Sequence, residues 1–243
     1  STAVTLVVAA CGVPVAKHGN RAASSKAGGA DTLEALGLDL ARASALAEAT
    51  LPDLGIAFLF APAHHPALGR IAPIRRALGR RTIFNLIGPL ANPAGVTRQL
   101  AGVAAPALVP LYAEAMTLLG AERAMVVAGA EGLDELSIAG PSHLACVGIA
   151  GLAAMVTPED AGLQRHPLSA LRGDDAAFNA AALARLLAGE RGAHRDAVLL
   201  NAAAALIVAG EAHDWREGAE EAAEAIDKGL AKALLDCWIA ACR

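Results

Sequence analysis

The sequence predicts an α/β protein with a mainly parallel central sheet and flanking helices, and three observations carry that expectation. Short apolar runs of strand length alternate with helix-length segments over the first half of the chain. Apolar residues make up 55 % of the 243 positions while aromatic residues make up only 3 %. Past residue 174 the strand-like runs stop, and alanine-rich segments punctuated by Gly189, Gly192, Gly210 and Gly229 take over. Strands alternating with helices call for crossover connections, and hence parallel pairing. A core so poor in rings must be built from Ala, Leu, Val and Ile, which favours closely packed helices.

Residues 1–10 are apolar on every face, which predicts a buried helix stopped at Gly12. Residues 13–16 read as a short buried strand, and residues 30–36 as a helix ended by Gly37. The turn between them holds Lys17, His18, Gly19, Asn20 and Arg21, then Ser24, Ser25, Gly28, Gly29 and Asp31. At the carboxyl end of a strand and the start of a helix, such a turn is equipped to hold an anion. Lys17 supplies a point charge, Ser24 and Ser25 supply donors, and the glycines let backbone approach closely. Residues 40–51 read as one amphipathic helix, 56–60 as a strand leading to His64 and His65, and 70–78 as a helix with Pro73 near its start or at a kink. Residues 100–103 and 124–127 read as strands around a helix at 108–119. Residues 176–188, 193–208, 217–226 and 228–241 read as helices packed on the sheet.

The formal charge of −4 gives no general attraction for nucleic acid, and the basic residues are dispersed apart from a concentration over 70–81. No apolar run reaches the roughly 18 to 20 residues of a membrane span, and the start of the sequence lacks the pattern of a secretory signal. Cys11, Cys146, Cys237 and Cys242 form neither a CxxC pair nor a disulfide framework, which suits a reducing, cytoplasmic setting. Asp134 and Glu135 stand together in a loop flanked by Gly129 and Gly132, and adjacent hard oxygen ligands suit a partly hydrated Mg²⁺. An arginine fork matches a planar carboxylate, but among Arg70, Arg75, Arg76, Arg80 and Arg81 the residues alone single out none. A nucleophilic triad is not supported: His64 and His65 have no Gly-x-Ser-x-Gly elbow, and no cysteine has an activating setting.

The words Lys17-His18-Gly19-Asn20-Arg21 and Ala30-Asp31-Thr32-Leu33-Glu34-Ala35-Leu36-Gly37 resemble the signature of the anthranilate phosphoribosyltransferase family. So do Phe60-Ala61-Pro62 with His65-Pro66 and Arg75, Arg81-Thr82-Ile83-Phe84-Asn85 with Gly88-Pro89-Leu90 and Asn92-Pro93, and Gly132-Leu133-Asp134-Glu135-Leu136-Ser137. Their order and spacing match almost from end to end. The resemblance implies a nucleoside phosphorylase/phosphoribosyltransferase-like fold. Residues 1–37 and 81–243 would form the α/β domain that binds phosphoribosyl pyrophosphate, and 38–80 a partial small helical domain with hinge segments. It implies a homodimer through that helical part, Mg²⁺ as cofactor, and transfer of the 5-phosphoribosyl group to anthranilate in tryptophan biosynthesis.

Carried over position by position, the resemblance gives phosphoribosyl pyrophosphate to Thr2, Lys17, Gly19, Asn20, Ser24, Ser25, Gly28 and Gly29. It gives anthranilate to Arg75, with His18, Asn20, Pro62 and His65 shaping the channel. It gives the metal to Asp134 and Glu135, assisted by Ser1. No residue is implied as acid or base, because the aromatic amine is already a neutral nucleophile. Two departures stand out. Leu68 occupies a position where relatives often carry a bulky or aromatic side chain, and Ala128 one where they often carry histidine. Members of the family also open with a helical segment and a Gly-Thr-Gly-Gly-Asp loop ending in Asn-x-Ser-Thr, of which Ser1 and Thr2 resemble the last two residues. Without that loop the 243 residues alone are expected to turn over poorly. Two alternatives remain open: a pyrimidine nucleoside phosphorylase-like enzyme, and a non-catalytic truncated binding module.

Overall fold

The most apolar segment of the chain lies at its centre. Helix α1 (Thr2–Ala10) carries no charged residue and buries Val4, Leu6, Val7, Val8 and Ala9. Around it pack the C-terminal helices α9 (Ala193–Ala209), α10 (Trp215–Asp227) and α11 (Leu230–Ala241), together with strands β1 (Val15–Gly19) and β2 (Ile56–Phe60). The computed structural model describes residues 1–21, 26–78 and 82–243, apart from the side chains of residues 69, 70, 72, 75, 76 and 85.

Strands β1 and β2 pair in parallel, with Lys17 opposite Phe58. Between them lie α2 (Gly29–Ala35), α3 (Leu40–Ala45) and α4 (Ala47–Leu54). The single helix expected over 40–51 is thus two helices, broken at Leu46 (φ −96°, ψ 8°). The break follows from the alternation of β2, whose successive side chains face opposite ways. Leu40 and Ala43 of α3 join Ile56 and Phe58 in the main core, whereas Ala47 and Leu51 of α4 cover Ala57 and Leu59 on the other face. Strand β2 then delivers the chain into α5 (Ala61–His64) and α6 (Pro66–Leu78).

A second sheet has the order β3 (Arg98–Gly102), β4 (Arg123–Gly129), β5 (Ser142–Val147), β6 (Met155–Val156). Strands β3 and β4 are parallel across α7 (Val109–Leu118), as the alternation requires. The α/β class with parallel pairs and flanking helices is therefore borne out. The antiparallel strands β5 and β6 were not anticipated. Ser142, His143, Ala145 and Cys146 have no run of β-branched residues to announce a strand. They pair because the second edge of β4, buried along nearly its whole length, needs partners for its backbone groups. Helices α8 (Ala176–Leu187), α9, α10 and α11 lie where the glycine punctuation placed them. Among the described residues no helix is long and apolar enough to cross a membrane.

Helix α9 packs directly on α10 in the core. A Cβ at Gly218 would lie 2.8 Å from the Ala203 Cα and 3.0 Å from its Cβ. Gly218→Ala would gain up to about 1 kcal/mol of helix propensity, but overpacking a well-filled core costs about 1–3 kcal/mol. The steric effect outweighs the propensity. The variant is expected to unfold at a lower denaturant concentration than the parent in equilibrium urea melts, and a higher midpoint would show that the two helices can separate without loss.

Candidate functional site

Strand β1 ends in Lys17, His18 and Gly19, and the start of α1 lies against that end. The Lys17 ammonium donates a hydrogen bond to the Ser1 hydroxyl at 2.9 Å. Thr2, the first residue of α1, faces the first residue of α2: a Cβ at Gly29 would come within 2.5 Å of the Thr2 Oγ1. Glycine there is a condition for bringing the two helix starts together. The Gly28 amide donates to the Asp31 carboxylate at 2.7 Å, which fixes the entry to α2. Burial lowers the pKa of Lys17, and the nearby Glu135 carboxylate opposes that shift. Gly19 packs against the Phe58 ring, 2.9 Å from where its Cβ would be. Ser24 and Ser25 lie outside the described residues.

Asp134 and Glu135 are delivered by the loop that follows β4, and backbone contacts hold that loop. The Gly129 amide donates to the Leu133 carbonyl at 2.8 Å, and the Gly132 amide to the Gly129 carbonyl at 2.9 Å. Gly102, at the end of β3, lies so close to the Asp134 carbonyl oxygen that a Cβ there would overlap it. The Ser137 amide donates to the Ser142 hydroxyl at 2.8 Å, and the Ser137 hydroxyl donates to Glu131. Asp134 is exposed and the Glu135 side chain is 38 % exposed, with one carboxylate oxygen 2.5 Å from the Ser1 nitrogen.

The donor chemistry fits Mg²⁺. Two adjacent carboxylates and a serine hydroxyl are hard oxygen donors, and Mg²⁺ usually takes one or two carboxylates, keeping water and phosphate for the rest. Among the described residues no three His, Cys, Asp or Glu side chains come together as a metal-holding group, so a closed protein cage for a softer ion is not offered there.

The second cluster is a pair of imidazoles. His65 Nε2 lies 3.2 Å from His18 Nε2 and 3.1 Å from the Ala91 carbonyl oxygen, with the ring centroids 5.0 Å apart and nearly perpendicular. A carbonyl can only accept, which assigns the proton to His65 Nε2; His18 Nε2 then offers its lone pair, and the His18 proton sits on Nδ1. A hydrogen bond to the Gly88 backbone holds that ring. The same loop is tied to β1 by Asn92, whose amide donates to the Ala16 carbonyl at 3.0 Å. His64 points elsewhere, 3.3 Å from the Ser44 hydroxyl.

The expected site residues therefore fall into groups. Ser1, Thr2, Lys17, Gly29 and Glu135 meet at one place, with Gly28 and Asp134 beside them, and His18 meets His65. Asn20 is exposed, its Oδ1 accepting from the Arg21 amide at 2.8 Å. Pro62 is exposed in the first turn of α5. Arg75 lies in α6, and its side chain lies outside the described residues. Ala128 is fully buried in β4, and Leu68, whose amide donates to the His65 carbonyl at 3.0 Å, lies in the first turn of α6. Sequence reasoning missed Gly102 and Asn201, which hold the acidic segment without belonging to it. The available signals were a glycine closing a strand and one asparagine inside the alanine-rich apolar stretch of α9.

Comparison with known proteins adds the relatives. The family model described as glycosyl transferase family, a/b domain, matches residues 1–232. An anthranilate phosphoribosyltransferase of Novosphingobium aromaticivorans is 69 % identical over 242 residues, covering 99 % of this chain and 73 % of its own. The crystal structure of the anthranilate phosphoribosyltransferase of Thermus thermophilus superposes with a TM-score of 0.94 at 48 % identity, over 100 % of this chain and 73 % of that one. The enzyme of Saccharomyces cerevisiae, in complex with phosphoribosyl pyrophosphate and Mg, gives 0.87 at 30 % identity, over 100 % of this chain and 69 % of that one.

The imidazole pair has a pH consequence. Burial, and then the facing His65, lower the His18 pKa from its ordinary 6.5. A depressed imidazole pKa means that the unfolded chain takes up a proton before the folded one as pH falls, so this group removes stability below about pH 6.5 and has no effect well above it. His18→Gln, which keeps a donor and an acceptor, is expected to reduce the loss of melting temperature between about pH 7 and about pH 5. An unchanged acid-side slope would show that the pair accepts a proton without cost.

Proposed function

The chain belongs to the anthranilate phosphoribosyltransferase family, and from that premise we propose that it transfers the 5-phosphoribosyl group of phosphoribosyl pyrophosphate to the amine of anthranilate, releasing pyrophosphate, as a step of tryptophan biosynthesis. The observation that carries this reading is the meeting of Lys17, the starts of α1 and α2, and the Asp134–Glu135 loop at the ends of parallel strands. That is where α/β proteins bind phosphorylated ligands. A cation, closely packed glycines and two hard carboxylates together suit an anion that arrives with a divalent metal.

The roles follow from the chemistry of each group. Lys17 sets its ammonium against the diphosphate, and Gly19, Gly28, Gly29 and Thr2 offer backbone and hydroxyl donors, with Ser24 and Ser25 assigned there by family register. Asp134, Glu135 and the Ser1 hydroxyl hold Mg²⁺, which when bound supplies charge neutralisation of the leaving pyrophosphate. Asn20, at the end of β1, stands between the two substrate positions. His18 and His65, with Pro62, border the anthranilate position, and Arg75 receives its carboxylate. No strong base is required, since the aromatic amine attacks in its neutral form, and rate comes from alignment and from departure of the leaving group. Residues 1–37 and 81–243 serve as the phosphoribosyl pyrophosphate domain and 38–80 as a partial helical domain with hinges, into which β2 is threaded. A homodimer through that segment is supported by exposed apolar side chains on α6, Ile74 at 61 % and Leu78 at 49 %. Cytoplasmic residence is supported by four free cysteines.

Calorimetric titration of phosphoribosyl pyrophosphate with and without Mg²⁺ tests the metal assignment. The double variant Asp134→Asn, Glu135→Gln is expected to lose the Mg²⁺-dependent part of the affinity, and unchanged affinity would remove both residues from the metal site. Arg75→Lys is expected to raise the anthranilate Michaelis constant by about tenfold or more while leaving that for phosphoribosyl pyrophosphate nearly unchanged, because an ammonium cannot reproduce the planar fork. Equal losses for both substrates would place Arg75 in general architecture.

A further inference from the structure

One buried polar side chain in the helical half of the molecule has no part in the site as described, yet its hydrogen bonds run to it. Asn201 sits in the middle of α9, 4 % exposed. Its Oδ1 accepts from the Leu136 amide at 2.9 Å, and its Nδ2 donates to the Leu136 carbonyl at 3.0 Å and to the Ala197 carbonyl at 2.9 Å. The side chain thus grips both polar groups of one peptide residue, as a neighbouring strand would. Leu136 is 1 % exposed, so neither of its backbone groups has water as a substitute partner. It follows Glu135 directly.

An asparagine that merely satisfied itself in a core could bond any backbone within reach. Asn201 instead spends two of its three bonds on a single residue at the end of the acidic loop, whose other end is set by Gly129 and Gly132 and whose middle is pressed on Gly102. The loop is pinned at each end by hydrogen bonds and in the middle by contact, with Asp134 and Glu135 between the pins. Helix α9 also packs on α1, which begins at Thr2 and is capped by Ser1. One helix therefore sets the position of both halves of the candidate metal site.

We infer that Asn201 is a positioning residue for the Asp134–Glu135 pair, fixing the loop at Leu136 so that the two carboxylates present a preformed site to a magnesium-borne diphosphate. This rests on the reading of the pair given above. A site assembled in advance pays less ordering cost on binding, and the contribution is lost if the loop must be ordered by the ligand itself.

The test compares Asn201→Leu, which keeps the branched shape but cannot bond the peptide, and Asn201→Asp, which keeps the acceptor and loses both donors. The control is Arg195→Met, which removes the other buried polar side chain of α9, whose paired bonds at 2.7 and 2.8 Å run to Asp227 and not to the loop. Hydrogen–deuterium exchange of the ligand-free protein, at a temperature where all three variants are folded by circular dichroism, reads the loop directly. Exchange at Leu136 and Ser137 is expected to speed up by about tenfold or more in Asn201→Leu, by less in Asn201→Asp, whose carboxylate still accepts from the Leu136 amide, and to stay near the parent value in Arg195→Met. In parallel, the Mg²⁺ concentration giving half-maximal binding of phosphoribosyl pyrophosphate should rise by a similar factor in the Asn201 variants, with the anthranilate Michaelis constant at saturating phosphoribosyl pyrophosphate unchanged. Unchanged exchange, faster exchange with an unchanged Mg²⁺ requirement, or the same losses in Arg195→Met would each overturn the inference. A parent protein whose binding ignored Mg²⁺ would overturn the underlying reading instead, and would be seen before any variant was made.

Discussion

Helix α1 has no polar face to offer to water, so it can only lie where α9, α10, α11 and the β1–β2 pair enclose it. Full burial of one aliphatic side chain contributes about 1.5–3 kcal/mol, and Val4, Leu6, Val7 and Val8 are all buried. An exposed ion pair contributes about 0–1 kcal/mol. The position of Ser1 and Thr2 is therefore decided by the apolar body of the helix behind them and not by the polar contacts they make. Lys17, Gly29 and Glu135 meet these residues because the core has already brought them there.

The same order of causes governs the acidic loop. Its two carboxylates make no contact strong enough to hold a loop in place, and Asp134 is exposed. What holds it is backbone: the Gly129–Leu133 and Gly132–Gly129 hydrogen bonds, the missing Cβ of Gly102, and the two bonds from Asn201 to Leu136. The groups that would touch a ligand are thus left with hydrogen-bonding and electrostatic capacity unspent, while buried groups behind them carry the structural work. The His18–His65 pair follows a related pattern. The Ala91 carbonyl fixes a proton on His65 Nε2, and the Gly88 backbone holds the His18 ring.

Elements that one face of a pattern could announce were legible in the sequence. Strand β2 falls on the expected residues 56–60, and α8, α10 and α11 lie within a few residues of the expected bounds. Lys17, Gly29 and Glu135 meet as an anion-binding turn and a nearby carboxylate would require. What escaped depends on partners distant in sequence. Strand β5 has no strong strand composition and exists because β4 offers an edge. The break at Leu46 is set by the two faces of β2, which residues 40–51 do not encode on their own. Asn201 lies 65 positions from Leu136, and the apolar stretch around it marks it as buried without naming its partner. The positions of Ser24, Ser25 and the Arg75 side chain fall outside the described residues, so their assignment stays with the family register.

The central claim is that this arrangement joins a phosphoribosyl group to an aromatic amine. The most direct measurement follows anthranilate fluorescence and pyrophosphate together in one reaction containing the protein, phosphoribosyl pyrophosphate and Mg²⁺. Anthranilate is expected to disappear and pyrophosphate to appear in equal amounts, at a low rate for the 243 residues alone, and only when all three components are present. Cleavage of a pyrimidine nucleoside by inorganic phosphate, with anthranilate left untouched under the same conditions, would contradict it.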